Sequence, residues 1–76
     1  MAESTLKSSE LDVERKVFTV SLCENARGRF VRIIEDCGGR RSAILVPAAG
    51  LEEFRRVVAE MTKEADELPP TVLPEA

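Results

Sequence analysis

Apolar and polar residues alternate from Lys16 to Cys23, with Phe18, Val20 and Leu22 on one side and Val17, Thr19, Ser21 and Cys23 on the other. A period of two marks a half-buried strand. Upstream, Leu11 and Val13 alternate with polar neighbours and predict a first strand ending near Glu14, although Ser8-Ser9-Glu10-Leu11-Asp12 is a poor strand composition. Downstream, Val31 and Ile33 share a face with Arg29, while Phe30, Arg32 and Ile34 take the other. Asn25-Ala26-Arg27-Gly28 has turn chemistry, so a hairpin joins these two runs. Gly38-Gly39 accepts positive φ and opens a second hairpin into a strand where Ser42, Ile44 and Val46 alternate with Arg41, Ala43 and Leu45. Pro47 closes that strand.

From Gly50 the period lengthens. Leu51, Phe54, Val58, Met61 and Ala65 recur at steps of three and four with charged residues between them, which predicts an amphipathic helix of about four turns. Glu52 and Glu53 complement the dipole of its first turn, and Pro69 and Pro70 forbid its continuation. The predicted class is α+β, four antiparallel strands followed by one helix, over residues 6–67. Residues 1–5 and the Pro-rich tail 68–76 are expected to be disordered.

A chain of 76 residues buries a thin core, worth no more than about 3–5 kcal/mol, and usually adds disulfides, a metal or a second copy of itself. Cys23 and Cys37 are too few for a disulfide scaffold and are read as two free thiols. One helix covers only part of a four-stranded sheet, and the helical stripe is spaced like a heptad seam. A homodimer is therefore expected, with Leu51, Phe54, Val58 and Met61 at its interface.

Net charge is −3, but the charge is segregated: residues 15–56 hold nine bases against five acids, and eight of the nine are arginine. Arginine suits bidentate phosphate contacts and stacking. The acidic ends are candidates to compete with phosphate for this centre. If Phe18, Val20, Leu22, Val31, Ile33, Ile44 and Val46 face the helix, alternation sends Thr19, Ser21, Cys23, Phe30, Arg32, Arg41 and Ala43 to the open face. Electropositive grooves with aromatic platforms hold single-stranded nucleic acid. Phe30 would be the platform, Arg32 and Arg41 would lie beside it, and Arg27 and Arg29 would stand at the hairpin. Alternatively, Phe30 belongs to a core or interface and the arginines merely solvate the surface. Asn25 likewise is either a turn residue or a contact to base or phosphate.

The segment Lys16 to Met61, above all Glu24-Asn25-Ala26-Arg27-Gly28-Arg29-Phe30 followed by Arg40-Arg41-Ser42 and Gly50-Leu51-Glu52-Glu53-Phe54-Arg55, resembles a repeat of the PUR family of purine-rich-element-binding proteins. This resemblance implies a Whirly-like β-β-β-β-α PUR repeat, two of which intertwine through their helices. It also implies binding of single-stranded, purine-rich DNA or RNA, local unwinding of duplexes and a part in transcription regulation. Animal members carry three repeats in one chain, so two copies of this chain would supply what one supplies there, as in single-repeat bacterial members. Carried over by position, nucleic-acid contacts fall on Arg15 and Lys16, on Asn25 and Arg27, and on Phe30, whose ring separates or stacks bases. Arg32 and Arg41 match further basic positions. Cys23 and Glu24 depart from the lysine and glutamine common in the family, which should weaken phosphate affinity and loosen purine preference.

Other chemistry is disfavoured. The absence of His removes imidazole-based acid–base and zinc chemistry, and adjacent pairs such as Glu35-Asp36 and Glu52-Glu53 diverge on strand or helix. No enzyme activity, cofactor, metal or small-molecule substrate is expected. The N-terminus MAESTLKSSE lacks a signal-peptide apolar core and no apolar run nears the ~20 residues of a membrane span, so an intracellular protein with no membrane partner is expected. The competing function is a protein-interaction module that offers the arginine face to an acidic partner.

Overall fold

The computed structural model describes residues 2–70; Met1 and residues 71–76, most of the tail expected to be disordered, lie outside the described residues. Strands β1 (Ser4–Val13), β2 (Lys16–Asn25), β3 (Gly28–Cys37) and β4 (Arg40–Pro47) form one antiparallel sheet in the order β1-β2-β3-β4. A 3-10 turn, Ala48–Gly50, leads into helix α1 (Leu51–Glu67). The predicted α+β order is observed.

Short turns set the registers. Asn25 pairs with Gly28 and Cys37 with Arg40, leaving two residues in each loop. Gly38 and Gly39 take φ of 59° and 88°, the left-handed pair that lets a tight hairpin follow the strand twist. The β1–β2 turn departs from this economy, because Glu14 holds φ 57° there, a conformation that is costly for a residue with a Cβ.

β1 begins at Ser4, where the sequence pattern predicted disorder to residue 5: Ser4 pairs with Glu24 and Thr5 with Cys23. The ordered edge of β2 supplies backbone partners, and these outweigh the poor intrinsic strand composition. A bulge interrupts the register between Thr5 and Lys7.

The expected alternation holds. Val20 pairs with Ile33 and Leu22 with Val31, while Val31 and Ile33 also pair with Val46 and Ile44. These residues therefore share one sheet face with Phe18. The helix does not cover that face within the chain. It touches the adjoining 3-10 turn and scarcely meets the strands. Ile44 remains 54% exposed, and on the helix Phe54, Val57, Val58 and Met61 are exposed as well. The radius of gyration is 15.5 Å, against roughly 11 Å for a compact chain of this length.

The helix itself is well made. Arg56 pairs with Glu53 and Glu60, Arg55 with Glu52, and Lys63 with Glu67. Leu68 ends it, its backbone N–H donating to the Glu64 carbonyl at 3.2 Å before Pro69 and Pro70.

Gly39→Val should lower stability by about 1–2 kcal/mol through its left-handed φ, whereas Glu14→Gly should leave it unchanged or raise it by up to about 1 kcal/mol. Urea midpoints of the two variants, compared at one protein concentration, check this.

Candidate nucleic-acid interface

An antiparallel meander sorts its turns to two ends. The β2–β3 hairpin lies at the end where β1 begins and β4 finishes, whereas the β1–β2 and β3–β4 turns lie at the other. Lys16 and Asn25 stand at opposite ends of the ten residues of β2, about 30 Å apart at ~3.3 Å per residue. The candidate residues therefore form two clusters, with Asn25, Arg27, Arg29, Phe30 and Arg32 toward one end and Arg15, Lys16 and Arg41 at the other.

In the first cluster, Asn25, Arg27, Gly28, Arg29 and Phe30 line a shallow open depression with Leu45 and Pro47. The backbone N–H of Arg27 donates to Asn25 Oδ1 at 2.9 Å. Asn25 thus acts as a turn residue, and its side-chain Nδ2 stays available as a donor. Gly28 takes φ 128° as the chain enters β3. Arg29 lies across from Glu24 and pairs with it at 3.4 Å. Arg27 has no carboxylate within 4 Å among the described residues.

Phe30 sits lower in the surface than alternation suggested. It is flanked by Cys23 on β2 and Pro47 on β4. Cys23 and Phe30 are the buried apolar residues of the described chain, 0% and 9% exposed. The Arg32 guanidinium lies over the ring, 5.5 Å from its centroid. Arg41 does not stand beside Phe30 as expected; it pairs with Asp36 at 3.3 Å at the far end. The two-residue Gly38-Gly39 loop forces that register and brings Pro47, not Arg41, against Phe30.

Arg32 is held in turn by Glu3. Its Nη2 donates to Glu3 Oε1 at 2.8 Å and its Nη1 to Oε2, while Nη1 also lies 3.8 Å from Cys23 Sγ. Hydrogen bonding and the charge of Arg32 hold the Glu3 carboxyl below its ordinary value of 4.5, and Glu3 raises Arg32 in turn. The charge pattern pointed to the acidic ends as competitors for the basic centre, but no spacing in the sequence singled out Glu3 or matched it to Arg32.

In the second cluster, too, two of the three candidate cations are paired, Arg41 with Asp36 and Lys16 with Glu35. Lys16 meets Glu35 at 2.7 Å, a hydrogen-bonded pair that raises its pKa. Arg15 lines a second depression with Val13, Glu14, Lys16, Phe18 and Cys37. Arg40, absent from the expected site, follows the β3–β4 turn at this same end. Cys23 and Cys37 are unbonded thiols. Among the described residues, no cluster of acids and cysteines is placed to hold a metal ion, and no helix is long and apolar enough to cross a membrane.

The family profile described as "PurA ssDNA and RNA-binding protein" matches residues 1–69. The chain is similar to the Arabidopsis thaliana protein named transcription factor Pur-alpha 1, with 45% identity over 64% of the chain and 17% of that relative. It is 38% identical to the Caenorhabditis elegans transcriptional activator plp-1 over 75% of the chain and 26% of that protein. Human transcriptional regulator protein Pur-beta is 33% identical over 87% of the chain and 22% of its own length. The chain thus spans about a quarter or less of these relatives.

Because the folded Glu3 pKa lies below the unfolded one, the pair's contribution is present above the unfolded value and is lost as pH falls through the folded one. Carboxyl-carbon NMR should give Glu3 a midpoint below 4.5 that rises in Arg32→Gln; an unchanged midpoint would refute the pair.

Proposed function

The chain belongs to the PurA family of single-stranded DNA- and RNA-binding proteins, and from that premise we propose that it binds single-stranded nucleic acid, with preference for purine- or G-rich strands, as a homodimer. The observation that carries this is the basic β2–β3 hairpin end, where Asn25, Arg27, Arg29 and Phe30 line one depression and the Arg32 guanidinium lies over the Phe30 ring. Guanidinium forks bind phosphate oxygens bidentately. Toward the other end Arg41, on the Phe30 face, extends the basic surface along the strand direction, so a bound strand runs lengthwise over that face, whereas Lys16 shares the face of Phe18 and lines a depression there with Arg15. Phe30 stacks on a base once Arg32 swings off its ring.

The dimer follows from what the single chain leaves bare. The apolar sheet face is half-buried along Val20, Leu22, Val31 and Ile33 and exposed at Leu11, Val13 and Ile44, the apolar helix face is exposed, and the helix leaves the sheet after a short turn. A second copy supplies each face with its complement: the helix of one copy, through Leu51, Phe54, Val58 and Met61 with Val57 added, covers the Val20-Leu22-Val31-Ile33-Ile44 face of the other. The face bearing Arg32 and Phe30 stays open. Val58→Glu should give a species of half the sedimenting mass or an unfolded chain, whereas wild type sediments at twice the chain mass.

Anisotropy of a labelled G-rich single strand across a salt series, with a pyrimidine strand and a duplex as comparators, tests the binding. Wild type should favour the G-rich strand, with log K falling by about 0.7 per phosphate neutralised for each unit of log salt. Arg27→Gln should reduce that slope by about one such step, because Arg27 has no carboxylate partner among the described residues. Phe30→Leu keeps the packing volume but removes the aromatic face, and should weaken binding roughly five- to 150-fold, the worth of one stacked base. Unchanged affinity in Phe30→Leu would restrict that residue to packing. Absence of binding to all three nucleic acids at low salt would leave the arginine face to an acidic protein partner.

A further inference from the structure

We propose that Glu3 is a built-in phosphate mimic: its carboxylate occupies the guanidinium fork of Arg32 and must be displaced before a nucleic-acid phosphate can take that site. The inference rests on the single-strand-binding reading above. Three observations carry it.

The first is the shape of the contact. Both terminal nitrogens of Arg32 donate to the two Glu3 oxygens, one of them at 2.8 Å. A carboxylate held in this bidentate fashion fills the two donor positions that a phosphate would use.

The second is the place of Arg32. It lies over the Phe30 ring, 5.5 Å from the centroid, so the same ion pair that occupies the anion site also closes the aromatic surface. Release of Arg32 from Glu3 exposes both groups together.

The third is the bulge in β1. Below it, Lys7 pairs with Leu22 and Ser8 with Ser21; above it, Thr5 pairs with Cys23 and Ser4 with Glu24. Without the extra residue, Thr5 would stand opposite Glu24, and Glu3 would project from the other face of the sheet. The bulge returns Thr5 and Glu3 to the face of Cys23, Phe30 and Arg32. Bulges re-aim side chains in this way at functional sites. The contact is also cheap to break. β1 is an exposed edge strand, and Glu3 and Arg32 keep 35% and 29% of their side-chain surface in solvent.

The test compares wild type, Glu3→Gln, Glu10→Gln, Arg32→Gln and the Glu3→Gln/Arg32→Gln double variant by anisotropy with a labelled G-rich single strand across salt. Glu10 pairs with Thr19 on the same sheet face and has no cation within ion-pair distance among the described residues, so Glu10→Gln makes the same charge change without freeing an arginine. Thermal melts confirm that each variant is folded. Glu3→Gln should bind about two- to five-fold tighter than wild type at low salt, the worth of an exposed ion pair. Its salt slope should steepen by about 0.7, one added phosphate contact. Glu10→Gln should change affinity less, and the gain from Glu3→Gln should vanish in the Arg32→Gln background. Equal gains from Glu3→Gln and Glu10→Gln, or a gain that persists without Arg32, would overturn the mimic while wild-type binding stands. Binding seen only after Glu3→Gln would support it in its strongest form. Failure of wild type and Glu3→Gln alike to bind any strand would overturn both this proposal and the function on which it rests.

Discussion

Everything in the sheet depends on where its hairpins close. The pairing of Asn25 with Gly28 and of Cys37 with Arg40 fixes two registers at once, and each register decides which side chains share a face. A slip of one residue in either would exchange the apolar and polar sets of a whole strand. The backbone supplies the reasons for closure: Asn25 accepts the Arg27 N–H across the first turn, and Gly38 and Gly39 take positive φ in the second. From these closures follow the contact of Phe30 with Cys23 and Pro47 and the apolar face around Ile33.

Within that frame the chain is divided between a satisfied surface and an unsatisfied one. On the Phe30 face, small side chains, a thiol and ion pairs complete one another around an exposed Leu45, and Ser8 Oγ and Ser21 Oγ meet at 2.8 Å across β1 and β2. On the opposite face, apolar residues from the central strands remain open, and the helix that could cover them leads away from its own sheet. Apolar area left in water contributes nothing to stability, and at about 25 cal/mol per Å² buried it is the largest reserve available to so short a chain. The proposed homodimer would draw on that reserve, and its contacts would lie on the face opposite Phe30 and Arg32.

Charge is arranged with equal economy. Half of the eight arginines are pinned by a carboxylate on the next strand or the next helical turn, which helps a chain with net negative charge keep a basic centre without strong self-repulsion. Exposed pairs of this kind are worth little individually. Such weak pairs fit the proposed exchange of internal anions for phosphates.

Alternation and turn chemistry were enough to read the four strands, both glycine-bearing hairpins and the amphipathic helix, because each is dictated by neighbours in sequence: Phe18-Val20-Leu22 by the pleat, Gly38-Gly39 by the φ values the turn requires, Leu51-Phe54-Val58 by the helical repeat. The hairpin registers were legible too, and counting through the Gly38-Gly39 loop would have set Phe30 against Pro47 and removed Arg41 from its side. Three things lay beyond sequence. Ser4 and Thr5 became strand because an ordered β2 edge was present to receive them. The depth of Phe30 beneath Arg32 depends on atoms contributed by three strands. The meeting of Glu3 with Arg32, 29 positions apart, depends on a single extra residue in β1, and a bulge leaves no trace in a pattern of apolar and polar positions, since its cause is the fit between two strands already paired.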